Sequence, residues 1–357
     1  MIYLLVEPFL DIGPLNALRY ISIRSAIALI TAVLLFVGLY PTFLRGVRRY
    51  GAGQVVREDV PEHHQAKTGT PTMGGILICF AIAFTTTLWT RMPSPQVLCA
   101  LIIVTGYCAI GFADDAAKLR DKRGGGIPGR VRLLLEGGLS AAVLAYAIYQ
   151  GHLSTVVLVP LAKSLSFDLG WGYVVFGSIV VVGSANAVNL TDGLDGLAIG
   201  PTMTTAMTFG LLAWLSGNAI YADFLSIPYI PGNGELAIMC VTVVGAGMGF
   251  LWFNTYPATV FMGDTGSLPL GGLLGMLAIF TKNEILLVVV GGIFVIETLS
   301  VIIQVVSFKT TGKRVFAMAP IHHHFEHKGW QEPKIIVRFW IISIMLALVG
   351  LMSLKVR

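Results

Sequence analysis

The chain has 357 residues, 55% of them hydrophobic and only 12% charged, and its mean hydropathy is +0.79. A soluble globular domain carries about 25% charged residues, so composition excludes an ordinary soluble enzyme and points to a polytopic membrane protein. The net charge of +5 is modest, and no nucleic-acid partner is expected.

In chain order, the N-terminal stretch MIYLLVEPFLDIGPLNALRY has no early basic region and no small-residue cleavage site. It reads as a retained interfacial segment rather than a signal peptide. Apolar runs long enough to cross a bilayer then follow at about 22–43, 72–90, 96–113, 132–150, 172–190, 197–216, 236–254, 267–281, 285–307 and 335–354. The predicted fold is therefore all-α, about ten transmembrane helices in a single domain over 1–357. The longest loop is under about 30 residues, too short for a separate domain. The eighth run is short and glycine-rich (LPLGGLLGMLAIF), which suits a tilted or protein-shielded helix.

Ten spans put both termini on one side. The five loops on the other side carry Arg45, Arg48, Arg49, Arg57 and Lys67, then Lys118, Arg120, Lys122, Arg123, Arg130 and juxtamembrane Arg132, then Lys309, Lys313, Arg314, Lys328 and Lys334. The terminal side has only Arg19, Arg91, Lys163, Lys282, Lys355 and Arg357. That bias makes the five loops cytoplasmic and both termini periplasmic.

The unusual polar chemistry lies on the same cytoplasmic side. Asp114-Asp115-Ala-Ala-Lys118 ends the third span. NAVNLTDGLDG holds Asn186, Asn189, Asp192 and Asp195. FNTYPATVFMGDTGS holds Asn254, Phe261, Gly263, Asp264 and Ser267. MAPIHHHFEHKGW holds His322, His323, His324 and His327. KTGTPTMGG adds Lys67 and Thr72. A single aspartate at a helix end is often a cap, but capping explains five from three loops less well. Adjacent carboxylates repel unless a cation stands between them. Magnesium takes oxygen ligands and needs only one or two carboxylates beside substrate phosphates. Glycines such as Gly193, Gly196 and Gly263 let backbone N–H groups approach a phosphate. Consecutive histidines point in different directions, so one or two imidazoles contacting phosphate or moving a proton is the better reading than a shared metal. Gln304, near the cytoplasmic end of its span, is placed to face a substrate, whereas Glu136 and Glu297 read as interhelical hydrogen-bond partners. Together these features suit magnesium-dependent phosphoryl transfer from a soluble donor to a lipid phosphate, where catalysis is mainly positioning and charge stabilisation.

Three motifs, Asp114-Asp-Ala-Ala-Lys118, Asn186-Ala-Val-Asn-Leu-Thr-Asp-Gly-Leu-Asp-Gly196 and Phe261-Met-Gly-Asp-Thr-Gly-Ser267, join Met318-Ala-Pro-Ile-His-His-His324 in a further resemblance. Over essentially its whole length the chain resembles the phospho-N-acetylmuramoyl-pentapeptide transferase family, a branch of the polyprenyl-phosphate sugar-1-phosphate transferases. The resemblance implies attack by undecaprenyl phosphate on UDP-N-acetylmuramoyl-pentapeptide, giving lipid I and UMP in a bacterial inner membrane, with Mg2+ as cofactor and a homodimer as the assembly. It implies Asp264 as the magnesium ligand and Asp114 and Asp115 as the pair that handles the lipid phosphate. His323 joins these as a catalytic position and contacts substrate with His324. Lys67, Thr72, Asn189, Asp192, Ser267 and Gln304 line the pocket, with Asn186, Gly263 and His322 beside them. Lys118, Asp195, Asn254 and Phe261 mark the uridine end, and Arg130 a diphosphate contact. Two alternatives stay open from the residues alone: a sister transferase using another UDP-sugar, and a secondary transporter with internal carboxylates.

Overall fold

The computed structural model describes residues 3, 6–10, 13–49, 70–120, 125–160 and 165–354. After two 3-10 turns (Glu7–Phe9 and Gly13–Arg19), the chain forms α1 (Ile21–Arg49), α2 (Gly75–Trp89), α3 (Pro95–Arg120) and α4 (Gly129–Tyr149). A small antiparallel hairpin, β1 (Val156–Leu158) with β2 (Ser166–Asp168), precedes α5 (Gly172–Thr191). Then come α6 (Ile199–Ser216), α7 (Ala219–Leu225), α8 (Gly234–Asn254), α9 (Asp264–Phe280), α10 (Leu286–Val290), α11 (Gly292–Thr311), α12 (Ile321–His327) and α13 (Glu332–Met352). Helix stands at each of the ten predicted spans. By length and composition, seven of these helices can cross a membrane: α1, α3, α4, α5, α8, α11 and α13. In a bilayer every backbone polar group must be satisfied within the protein, which is why helices dominate.

Three of the differences from the predicted spans matter most here. Helix α3 runs on through Arg120 rather than stopping at 113, so Asp114, Asp115 and Lys118 lie on helix, not loop. Ala116, Ala117 and Leu119 are strong helix formers, and Lys118 and Arg120 in the last turn complement the helix dipole. Helix α9 starts at Asp264 rather than 267. The ninth span is broken at Gly291 into α10 and α11.

The short eighth span is the centre of the bundle. Every residue of α9 from Thr265 to Phe280 is buried. Glycines allow its neighbours to come that close. A Cβ at Gly271 would stand 2.5 Å from the Ser184 carbonyl oxygen of α5, and one at Gly275 2.8 Å from Val181 Cα. On another side, Gly272 lies against Ile103 and Tyr107 of α3. Pro269 cannot donate to the carbonyl of Thr265 four residues back. That carbonyl instead accepts the thiol of Cys79 from α2 at 3.6 Å. Around this centre, α1, α4 and α13 expose large apolar side chains such as Leu34, Leu134 and Met345, the surface expected against lipid.

At the terminal end of the bundle, buried Arg24 of α1 makes a bidentate pair with Glu235 of α8 at 2.7 and 2.7 Å. Glu235 also accepts the Arg91 backbone N–H at 2.7 Å. Lys282 donates to the Ser154 carbonyl and to the Tyr173 hydroxyl, and pairs with Glu284 at 3.0 Å. These charges lie at the end opposite the aspartates and hold the helix ends together.

Gly271→Val is expected to lower the melting temperature of detergent-purified protein strongly, because its side chain meets backbone that cannot yield, an overpacking cost of about 1–3 kcal/mol or more. Gly138→Ala, whose added Cβ meets nothing within 4 Å, should leave that temperature unchanged or slightly raised, and a thermal-shift series on the two variants checks the contrast.

Candidate active site

The last turns of α3 and the first turn of α9 meet at one point. Gly263, with φ +71°, turns the chain so that α9 opens directly on Asp264. A helix start leaves backbone N–H groups without partners inside the helix. Here the carboxylate of Asp115, reaching across from α3, takes them. Its Oδ1 accepts from Asp264 N at 3.3 Å, and its Oδ2 from Thr265 N at 3.0 Å and Thr265 Oγ1 at 2.6 Å. Negative charge is favoured at that end of a helix. Gly111 of α3 packs on the Asp264 backbone and Gly75 of α2 on Gly266, and neither place has room for a Cβ.

That junction brings three carboxylates together. One oxygen from each of Asp114, Asp115 and Asp264 lies within 4.8 Å of the others. Two cations hold the group. Lys118 Nζ stands 2.7 Å from Asp114, 2.9 Å from Asp264 and 3.8 Å from Asp115. Arg132, at the start of α4, donates to Asp264 at 2.8 Å and to Asn186 at 3.1 Å. Asn186 in turn donates to buried Glu136 at 2.7 Å, the interhelical bond expected of Glu136. Asn189 donates to both Asp264 (2.8 Å) and Ser267 (2.9 Å). Asp114 Oδ1 accepts the Ile127 N–H at 2.7 Å, while its buried Oδ2 faces the ammonium of Lys118 and, at 3.8 Å, the guanidinium of Arg132.

A hard divalent cation fits this donor set. All the ligands are carboxylate oxygens, and an ammonium already stands between them where a cation would sit. Asp114, Asp115 and Asp264 are the residues that would hold it.

The other predicted positions divide into neighbours and props. Thr72 lies beside Asp115, since a Cβ on Gly263 would approach both its Oγ1 and the Asp115 carboxylate. Asp192 follows α5 and is half-buried; burial, then the charges of Asp264, Asp115 and Asp195, pushes its carboxyl up to about 8. Asp195 and Asn254 are buried ties between loops. Asp195 accepts the Ala258 N–H at 3.0 Å, and Asn254 accepts from Gly196 N at 2.8 Å and donates to the Val260 carbonyl at 2.7 Å. Phe261 is half-buried, its backbone paired with Pro71 and Gly74. Gln304 spends its amide on the loop after α11, accepting from Val315 and Phe316 N–H and donating to the Phe316 carbonyl.

Of the histidines, His323 meets Glu326 at 2.6 Å, His324 accepts the Ala317 N–H at 3.1 Å, and His322 is buried against Glu297 at 3.1 Å. Arg130 is exposed; Lys67 lies outside the described residues. Sequence reasoning missed Arg132, which it counted only as a juxtamembrane charge. The available signal was its spacing of four from Glu136, a helical ion-pair distance realised here at 3.5 Å.

Residues 97–282 match the family model described as Glycosyl transferase family 4. Residues 67–79 match the one described as Phospho-N-acetylmuramoyl-pentapeptide-transferase signature 1. A Syntrophus aciditrophicus protein named Phospho-N-acetylmuramoyl-pentapeptide-transferase is 54% identical over 343 residues, 96% of each chain. This chain belongs to that family. Two Rhodopseudomonas palustris members with the same name are 50% and 49% identical over 361 residues, covering both chains completely. The phospho-N-acetylmuramoyl-pentapeptide-transferase signature ends on Cys79, and so covers Thr72, Gly75 and the start of α2 that packs on the α9 turn.

Two outcomes follow for the cluster. Asp115→Ala should destabilise the protein by on the order of 2–4 kcal/mol, since it uncaps α9 and removes charge-assisted bonds, whereas Asp114→Asn should shift the melting temperature much less. For Asp192, a raised acid stabilises the fold while protonated. That contribution is whole below the unfolded value of about 3.9 and is lost as pH rises through about 8. Melting temperatures in EDTA between pH 5 and 9 should therefore fall more steeply for the native protein than for Asp192→Asn.

Proposed function

We propose that this protein transfers phospho-N-acetylmuramoyl-pentapeptide from its UDP-linked donor to undecaprenyl phosphate, giving lipid I and UMP, the first membrane step of peptidoglycan synthesis. The observation that carries the reading is the Asp114, Asp115 and Asp264 cluster at one end of an apolar bundle, in a chain whose full-length relatives bear that transferase name. The charge bias of the loops supports a cytoplasmic face for the cluster and periplasmic termini, in the inner membrane that the family resemblance implies. A homodimer is carried over from the family resemblance.

At that face a lipid phosphate meets protein charge without leaving the bilayer surface. Lys118 and Arg132 supply positive charge where phosphate oxygens gather, and Asn189, itself bonded to Ser267, holds Asp264 in one orientation. Asp114, whose Oδ2 faces the Lys118 ammonium while both oxygens of Asp115 accept from the start of α9, is the better placed of the α3 pair to take a proton from the attacking phosphate. Asp115 is committed to the α9 helix start and positions Asp264. Magnesium, when bound, supplies neutralisation of charge on the transferred phosphate.

Purified protein in detergent should release UMP from UDP-N-acetylmuramoyl-pentapeptide only when undecaprenyl phosphate and Mg2+ are both present. Asp264→Ala should lose on the order of 1,000-fold or more in turnover, the scale of removing a main electrostatic stabiliser. Release from UDP-N-acetylglucosamine but not from the pentapeptide donor would assign the chain to the sister reaction instead.

A further inference from the structure

His322 and Glu297 form a pair that the acidic cluster does not use. Both side chains are fully buried. Glu297 lies in the second turn of α11, and His322 in the first turn of α12. His322 Nδ1 stands 3.1 Å from Glu297 Oε1. An ionised carboxylate only accepts, so it holds the proton on Nδ1 and leaves Nε2 as the free ring nitrogen. The remaining polar atoms of the pair, Glu297 Oε2 and His322 Nε2, are buried without a hydrogen-bond partner among the described residues.

The surroundings make this an expensive arrangement for packing alone. Ile293, one turn before Glu297, and Leu194, next to Gly193, belong to one apolar cluster with Ile335 and Phe339. Burying a carboxylate against a single imidazole in such a place costs more than filling it with an apolar side chain of the same volume.

The direction of Nε2 says what the pair does. A Cβ placed on Gly193 would collide with Nε2, with Cε1 of the same ring 2.9 Å away. The imidazole edge therefore fills the space that any side chain at 193 would need. Gly193 follows Asp192 in the loop that leaves α5 and carries Asp195. The far end of that loop is tied by Asp195 to Ala258 and by Gly196 to Asn254.

We propose that Glu297 is a positioning residue for the transfer: by accepting Nδ1–H it holds His322 with Nε2 against Gly193, and so seats the loop that carries Asp192 beside the carboxylate cluster. This rests on the transferase reading above. Glu297 touches no substrate and acts through His322.

The test compares Glu297→Met, which keeps the volume and removes the acceptor, with Glu297→Gln, whose amide oxygen still accepts Nδ1–H. Both are checked for native melting behaviour. Glu297→Met should lose on the order of 100-fold in kcat with a smaller change in donor KM, the loss that a misplacement of about 1 Å costs. Glu297→Gln should keep most of the turnover. Adding His322→Ala to Glu297→Met should cost no more than His322→Ala alone, because the two act as a unit.

Hydrogen exchange of the peptide over residues 189–196 gives a readout independent of turnover. It should speed up in Glu297→Met and not in Glu297→Gln. Native turnover by folded Glu297→Met, equal loss in both variants, or losses that multiply in the double variant would overturn the proposal. If the native protein itself released no UMP, the transferase reading would fail. Unchanged exchange in Glu297→Met would then overturn the seating as well, and faster exchange would uphold it.

Discussion

The contact on which the rest depends is the carboxylate of Asp115 at the first turn of α9. It does two things at once. It supplies acceptors to backbone N–H groups that a helix start leaves unpaired, and it fixes the end of α3 against the beginning of α9. Asp114 and Lys118 sit within a turn of Asp115, and Asp264 is the first residue of α9. One side-chain contact thus brings three carboxylates and an ammonium to the same place.

The close approach that this contact needs is supplied by the absence of side chains. Gly111 and Gly75 let α3 and α2 pack on the backbone at 264–266, and Gly271 and Gly275 let α5 lie along the far part of α9. Between helices in a bilayer, apolar burial drives little, because lipid is as apolar as leucine, and van der Waals contact between closely approaching backbones takes over. A central helix buried along its whole length is then a rigid mount. Asn186 and Asn189 on α5, and Arg132 on α4, reach the cluster from elements that cannot shift without disturbing that packing.

The charges around the cluster are balanced locally. Asp264 faces Lys118, Arg132 and Asn189; Asp114 faces Lys118 and the Ile127 N–H. Carboxylates left unpaired at a membrane boundary would be costly. The ammonium of Lys118 among them marks where positive charge belongs. The opposite end of the bundle follows the same rule with different residues, Arg24 with Glu235 and Lys282 with Glu284.

Sequence by itself determined the class, the number and position of the helical spans, and the gathering of aspartates, asparagines and histidines at one membrane face. It could do so because lipid forces long apolar runs into helices and because successive spanning helices alternate in direction. It also singled out Asp114, Asp115 and Asp264, since carboxylates beside apolar runs stand out by their cost. What it left to the tertiary structure is the division of labour among them. That Asp115 caps a helix 150 residues away, that Arg132 rather than exposed Arg130 reaches Asp264, and that Gln304, Asn254 and Asp195 brace loops are facts about contacts between distant segments. No local periodicity or spacing encodes such contacts, because the partner of a hydrogen bond is chosen only when helices pack.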